Sequence, residues 1–406
     1  MALSDAGCSV AAVCPPGHPL EKTNAVREIL PYNGLLPINS LEGAIATTEP
    51  DLVLPCDDLA TRNLHQLYQK HLRSGTPGKN ICELIKESLG APEWLPDVYA
   101  RAAFMRLAAR QGIRVPKTIV VANTYELKNC IGQIGLPIVL KADGTSGGLG
   151  VRVSHSVGEA ERAFHVLRAP PLLARALKRA LIDRDFTLLW PSLSRRRSVI
   201  NAQAFVAGRE ATSAVACWKG LILASLHFEV LSKSGVLGHA SVLRLIENNE
   251  MSAAAETIVR RLNLSGVHGF DFMLEADTGN AYLIEMNPRA TQVGHLTLGP
   301  GRDIPAALHA AISGDAIQFA PTLTGKDTIA LFPQEWIRDP RSTYLHTGYH
   351  DVPWNEPELL KACIHTRRKQ RAWYSHHGNR QQVLPAALAA SSYAWSSNSR
   401  VKLQKH

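Results

Sequence analysis

Hydrophobic and polar positions alternate most strictly between Gly269 and Arg289. Phe270, Phe272 and Leu274 interleave with Asp271, Met273 and Glu275, and after Asp277, Thr278, Gly279 and Asn280 a second run, AYLIEMN, follows. A period of two on both sides of a turn cluster predicts a β-hairpin. A three-residue loop, Asp277 to Gly279, with Gly279 left-handed, sets Asp271 opposite Glu285 and puts Asn287 two residues on along the same face. A two-residue loop would turn Asp271 to the other face, so the chemistry depends on register. Like charges directly opposed on a sheet are destabilising unless a cation lies between them. Two carboxylates and an amide oxygen suit a hard cation, Mg²⁺ foremost. The plainer alternative is a half-buried hairpin whose acids face water.

The same pattern divides the rest of the chain. Cys8 to Cys14 and Asp51 to Pro55 read as strands. A helix opened by Asp57 or Asp58 follows, which predicts a small parallel α/β layer. Helix capping outweighs ligand contact as the role of those two acids. No Gly-rich turn follows a leading strand, so a dinucleotide fingerprint is absent. Trp94 to Tyr99 is a junction containing a proline, and Ala100 to Gln111 is a helix stopped by Gly112. VPKTIVV and Ile138 to Lys141 are strands, and Val157 to Leu167 and Leu172 to Ile182 are helices. NAQAFVAG, ATSAVACW and LILASLHFEV are strand-like, the last two antiparallel. A helix over Ser252 to Leu262 precedes the hairpin, and one over Asp303 to Ser313 ends at Gly314. The boundaries expected are 1–97, 98–320 and 321–406. The last of these is a C-terminal extension whose final twenty or so residues have the composition of disorder. No internal repeat is visible.

Between Lys141 and Val151 the strand pattern is interrupted by four glycines, Gly144, Gly147, Gly148 and Gly150. Glycines let backbone N–H groups approach phosphate oxygens without an intervening side chain. The lysine precedes the glycines and no helix follows them, so this is not a P-loop. It reads as a flap between two strands, against the alternative of an ordinary Gly-rich hairpin. His268, beside the hairpin, reads as a packed histidine, whereas His295 could equally touch substrate or not.

Length and composition narrow the classes. The 406 residues suffice for about two or three globular domains. No apolar run reaches the ~18 residues of a membrane span, and no secretory signal opens the chain. Seven cysteines without paired metal-type spacing point to a reducing, cytoplasmic setting. A net charge of +9 suits anionic nucleotides or solubility. Nucleic acid is a weak alternative, resting on the patch Arg367, Arg368, Lys369 and Arg371. The cluster Arg195, Arg196 and Arg197 reads as a solvated loop.

Taken in order, these motifs resemble the ATP-grasp superfamily, which includes carbamoyl phosphate synthetase, biotin carboxylase and many carboxylate-amine ligases. The match runs from about Arg101 to Gly314. The resemblance implies an α+β ATP-grasp fold, with two α+β subdomains clasping ATP. A small α/β parallel-sheet domain that lacks its first strand would precede it. It also implies one or two Mg²⁺ (or Mn²⁺) ions and a homodimer. Arg101 then takes the place of the family's first basic residue, and Lys141 that of the residue reaching the α- and β-phosphates. Gly144 to Gly150 cover the triphosphate, Ala204 and Val206 meet adenine, and Glu210 meets ribose. Gln203 stands where many members have Glu. Asp271, Glu285 and Asn287 match the metal ligands, and Arg289 the residue that steadies the transferred phosphoryl group. Gly294 and His295 follow Val293 where biotin carboxylase would carry Glu then His, which argues against biotin carboxylation.

The expected function is an ATP- and Mg-dependent ligase acting on a small-molecule carboxylate and an amine, through an acyl phosphate. The alternative is an ATP-binding regulatory or scaffold protein without turnover.

Overall fold

Three sheets carry the strands. The computed structural model describes residues 1–74, 79–145, 148, 150–170, 197–235 and 238–364. Met1–Leu360 is one unit and Lys361–His406 another. The sequence-predicted helix at Leu172 to Ile182, Arg195 and Arg196, and the basic patch at Arg367 to Arg371 lie outside the described residues.

The N-terminal sheet is small. β1 (Ala11–Cys14) and β2 (Glu28–Pro31) run parallel, with Ala11 opposite Glu28. The strand expected at Asp51 to Pro55 does not form. Its backbone groups find partners elsewhere: Val53 N donates to Ser88 Oγ (2.9 Å), and Pro55 O accepts from Ala290 N (2.9 Å). That stretch therefore ties the N-terminal layer to the loop after Arg289. Three helices, α1 (Pro37–Thr48), α2 (Asp58–Ser74) and α3 (Lys79–Leu89), complete the layer. Leu64, Leu67 and Tyr68 fall on one face of α2 at helical spacing and are buried against Ile85 and Leu89 of α3.

A second helical segment, α4 (Arg101–Arg110), leads to a four-stranded antiparallel sheet in the order β3-β6-β4-β5. Its strands are β3 (Thr118–Val121), β4 (Ile138–Ala142), β5 (Val151–Ser154) and β6 (Ile200–Ala204). Helices α5 (Thr124–Ile134) and α6 (Val157–Arg168) cover one face through Leu127, Ile131 and Phe164. Lys141 thus lies one residue before the end of the strand that opens into the glycine loop, where its sequence context predicts the strand's last residue.

The third sheet has seven strands in the order β11-β10-β7-β8-β9-β12-β13. They are β7 (Gly208–Trp218), β8 (Leu221–Lys233), β9 (Ala240–Leu245), β10 (Gly266–Glu275), β11 (Ala281–Asn287), β12 (Thr328–Leu331) and β13 (Tyr349–Asp351). α7 (Asn249–Arg261) and α8 (Ile304–Ser313) sit on opposite faces of it. Ala211, Val215 and Cys217 of β7 pack with the first, and Ala214 and Ala216 with the second. β12 pairs with β9, so part of the stretch after residue 320 completes this sheet.

The hairpin reaches its predicted register by another route. Its loop is four residues, Ala276 to Gly279, closed by Glu275 N donating to Asn280 O (2.9 Å), with Gly279 at φ +73°. Such a loop alone would oppose Asp271 with Ile284 and turn Glu285 to the far face. The pairing instead shifts between Phe272↔Leu283 and Asp271↔Glu285, leaving Ile284 as a β-bulge. The extra residue restores the two acids to one face.

Candidate active site

Asp271 and Glu285 face each other across β10 and β11, and hydrogen bonds orient the first of them. Thr212 Oγ1 donates to Asp271 Oδ1 and Asn287 Nδ2 to Asp271 Oδ2, each at 2.9 Å. Burial, then the charge of Glu285, pushes the Asp271 carboxyl up to about 6. Two carboxylates opposed across a hairpin repel each other unless a cation lies between them. Two carboxylates and an amide are hard oxygen donors, and they fit Mg²⁺.

Cations converge on the same acids from other elements. Arg101, at the head of α4, brings Nη1 to 2.9 Å from Glu285 Oε1, and its Nη2 donates to Thr145 O at 2.8 Å. That second contact anchors the base of the glycine loop. Asp143, also in the loop, accepts from Asn201 Nδ2 (2.8 Å) and lies 3.8 Å from Arg101 Nε. Lys141 is 6% exposed. Burial lowers its ammonium to about 8 in spite of the opposing pull of Glu285, Asp271 and Glu210. Arg289 is held at three nitrogens: Nε donates to Asp58 Oδ1 (2.9 Å), Nη1 to Ala290 O (3.3 Å) and Nη2 to Asn287 Oδ1 (3.3 Å).

Lys141, Arg101, Asp271, Glu285, Asn287 and Arg289 are therefore brought together. In the glycine loop, Gly144 and Gly148 take positive φ and Gly150 precedes β5, whereas Gly147 lies outside the described residues. The remaining sequence-predicted residues flank the group. Gln203 is buried and donates through Nε2 to Thr118 Oγ1 (2.9 Å), which commits its side chain to the sheet. Ala204 N donates to Lys117 O (2.9 Å). Glu210 sits 2.6 Å from Lys233 Nζ, a partner that nothing in the sequence singles out.

Asp57 caps α2 through Ala60 N (2.7 Å), as expected, while Asp58 turns instead to Arg289. His268 is buried, with Nε2 2.8 Å from Ser265 O, in keeping with a packed histidine. His295 pairs with Asp351 Oδ2 at 2.8 Å. Sequence reasoning missed Arg62 and Tyr99, which line the cavity beside Glu285. Their only local signal is a position in the helix after Asp58 and in the junction before Arg101.

Residues 191–293 match a family model described as an ATP-grasp domain. Among solved structures, the chain is similar to the biotin carboxylase domain of Hydrogenobacter thermophilus 2-oxoglutarate carboxylase, a dimer in complex with MgADP, ADP and bicarbonate. The TM-score is 0.55 at 14% identity, covering 79% of this chain and 67% of that one. The chain has an ATP-grasp fold. Staphylococcus aureus N5-carboxyaminoimidazole synthetase, in complex with ADP, shares this ATP-grasp architecture, with a TM-score of 0.52, 12% identity and coverage of 79% and 75%. The Thermus thermophilus carbamoyl phosphate synthase large chain is 26% identical over 260 residues, 63% of this chain and 23% of that one. The chain thus spans about a quarter of the length of that relative. No helix among the described residues is long and apolar enough to cross a membrane.

Proposed function

We propose that the protein is an ATP- and Mg-dependent ligase that activates a carboxylate as an acyl phosphate for attack by an amine. The observation that carries this reading is the bulged register that opposes Asp271 and Glu285 with Arg101, Lys141 and Arg289 around them. Phosphoryl transfer asks a protein mainly for alignment and for positive charge around the transferred group.

In this reading Lys141 and Arg101 hold phosphate oxygens, and the backbone of Gly144, Gly148 and Gly150 covers them and excludes water. Asp271, Glu285 and Asn287 would hold Mg²⁺, which when bound neutralises charge on the phosphates. Arg289 offers a planar fork to the acceptor carboxylate and the arriving phosphoryl group, a geometry that lysine could not match. With Ala204 N committed to Lys117, the Ala204 carbonyl and the Val206 backbone are the hinge groups left for adenine. Glu210 would exchange Lys233 for a ribose hydroxyl.

The reaction breaks the bond between the β,γ-bridging oxygen and the γ-phosphorus and forms one from phosphorus to a carboxylate oxygen. The amine then displaces inorganic phosphate and loses a proton. Titration with MgADP, followed by a screen of carboxylate and amine pairs for Mg-dependent ADP release, tests the proposal. Lys141→Ala and Glu285→Ala should abolish release while melting cooperatively. Undiminished release by either variant, with a productive pair in hand, would reject it.

A further inference from the structure

Beside the acid pair lies a partly open cavity of about 40 Å³, lined by Arg62 and Tyr99 together with Asp58, Arg101, Glu285 and Asn287. At about 10–15 Å³ for each water, this leaves room for a carboxylate-sized group. The cations near it differ in what holds them. Arg101 lies against Glu285, and Arg289 donates to Asp58. Arg62 makes no ion pair within 4 Å among the described residues, although its charge reaches Asp143, and its guanidinium lies over the Tyr99 ring at 4.7 Å from the centroid. The base of the glycine loop comes close as well: a Cβ on Gly144 would sit 3.7 Å from Arg62 Nη1.

We propose that Arg62, braced by Tyr99, receives an oxyanion of the acceptor, so that the acceptor substrate carries a carboxylate or phosphate group in this cavity. The inference rests on the ligase reading above and adds the class of acceptor to it. Stacking occupies the face of the guanidinium and leaves its N–H edges for a planar or tetrahedral anion, the arrangement in which arginine binds two oxygens at once. Arg62 belongs to α2, so the N-terminal layer would supply acceptor specificity while the two later sheets supply the nucleotide site.

The test titrates the full chain with malonate and, separately, with inorganic phosphate, each with and without MgADP. It compares wild type, Arg62→Ala and Arg62→Lys, with melting curves as the check on folding. Wild type should bind at least one anion, and the arm that binds tells carboxylate from phosphate. Arg62→Ala should weaken that binding about 10- to 100-fold, the loss expected for charge-assisted hydrogen bonds. Arg62→Lys should recover only part, because an ammonium cannot form the bidentate pair. No anion binding by wild type, or equal binding by all three proteins, overturns the proposal. So does a loss confined to MgADP, which would assign Arg62 to the nucleotide. Failure of wild type to bind MgADP counts against the ligase reading, and the titrations without nucleotide still decide the role of Arg62.

Discussion

Arg289 Nε donates to Asp58 Oδ1 at 2.9 Å, joining the strand end that carries the acid cluster to the first turn of α2, 231 residues away in sequence. With Nη1 on Ala290 O and Nη2 facing Asn287 Oδ1, the guanidinium is fixed in one plane. Asp58 thus holds the Arg289 guanidinium, at the edge of the cavity that Glu285 and Asn287 also line.

Asp58→Ala should lower ADP release about tenfold or more through a misaligned Arg289, because displacements of about 1 Å in such sites can cost up to ~10² in rate. The pair is partly exposed, so stability should fall by only about 1 kcal/mol or less. Steady-state kinetics beside thermal melting separates the two effects, and unchanged kinetics would deny Asp58 its positioning role.

Lys141→Met should gain stability and lose nucleotide. Burial holds the ammonium at about 8, so the charged form is disfavoured in the folded protein. The penalty is fully present below pH 8 and fades between pH 8 and the ordinary lysine value, where neutral Lys141 costs nothing. The variant should therefore melt above the nucleotide-free wild type at pH 7, by a margin that shrinks as the pH is raised past 8. MgADP affinity should drop at least tenfold. A lower melting temperature at pH 7 would contradict this.

If Asp271 ligates Mg²⁺ as proposed, it sets an acid limit on metal binding. Its carboxyl stands at about 6 in the metal-free site, and protonation removes a ligand. In the absence of metal the raised value stabilises the folded state at low pH, and that contribution is lost as pH rises from the ordinary carboxylate range through 6. Metal binding has the opposite trend. Apparent Mg²⁺ affinity, measured calorimetrically with ADP present, should fall about tenfold for each pH unit below 6. Asp271→Asn should bind Mg²⁺ more weakly at pH 7.5 and lose most of this dependence.

Gly266→Ala should destabilise the junction between α3 and β10. Gly266 has φ +87°, and a Cβ there would lie 2.4 Å from Ser88 O. Left-handed backbone alone costs roughly 1–2 kcal/mol for a residue with a Cβ, and the collision adds to it. Thermal or urea unfolding should show a loss of about 2 kcal/mol or more. Gly112→Ala gives the contrast: its φ is +78° but nothing lies within 4 Å of a Cβ, so only the backbone cost should appear.

Much of the site is legible because its elements are local. Lys141 and the glycines share one strand-loop-strand unit, and Asp271, Glu285 and Asn287 share one hairpin, where alternation in the sequence becomes sidedness on a sheet. Asp51 to Pro55 misled because apolar residues between prolines look like a strand. In the folded protein its Val53 N–H goes to Ser88 and its Pro55 carbonyl receives Ala290, and Glu28–Pro31 pairs with β1 instead.

The chain's own pattern determined which side chains share one local unit: two acids and an amide on one hairpin, and a lysine before a glycine loop. Only the tertiary structure decided what those groups meet. A four-residue loop corrected by a bulge at Ile284 aligns Asp271 with Glu285, and packing of distant segments brings Arg101 to Glu285, Asp58 to Arg289 and Arg62 to Tyr99. The reason is physical: alternation depends on neighbours along the backbone, whereas an ion pair between distant segments depends on how whole layers bury their apolar faces against one another.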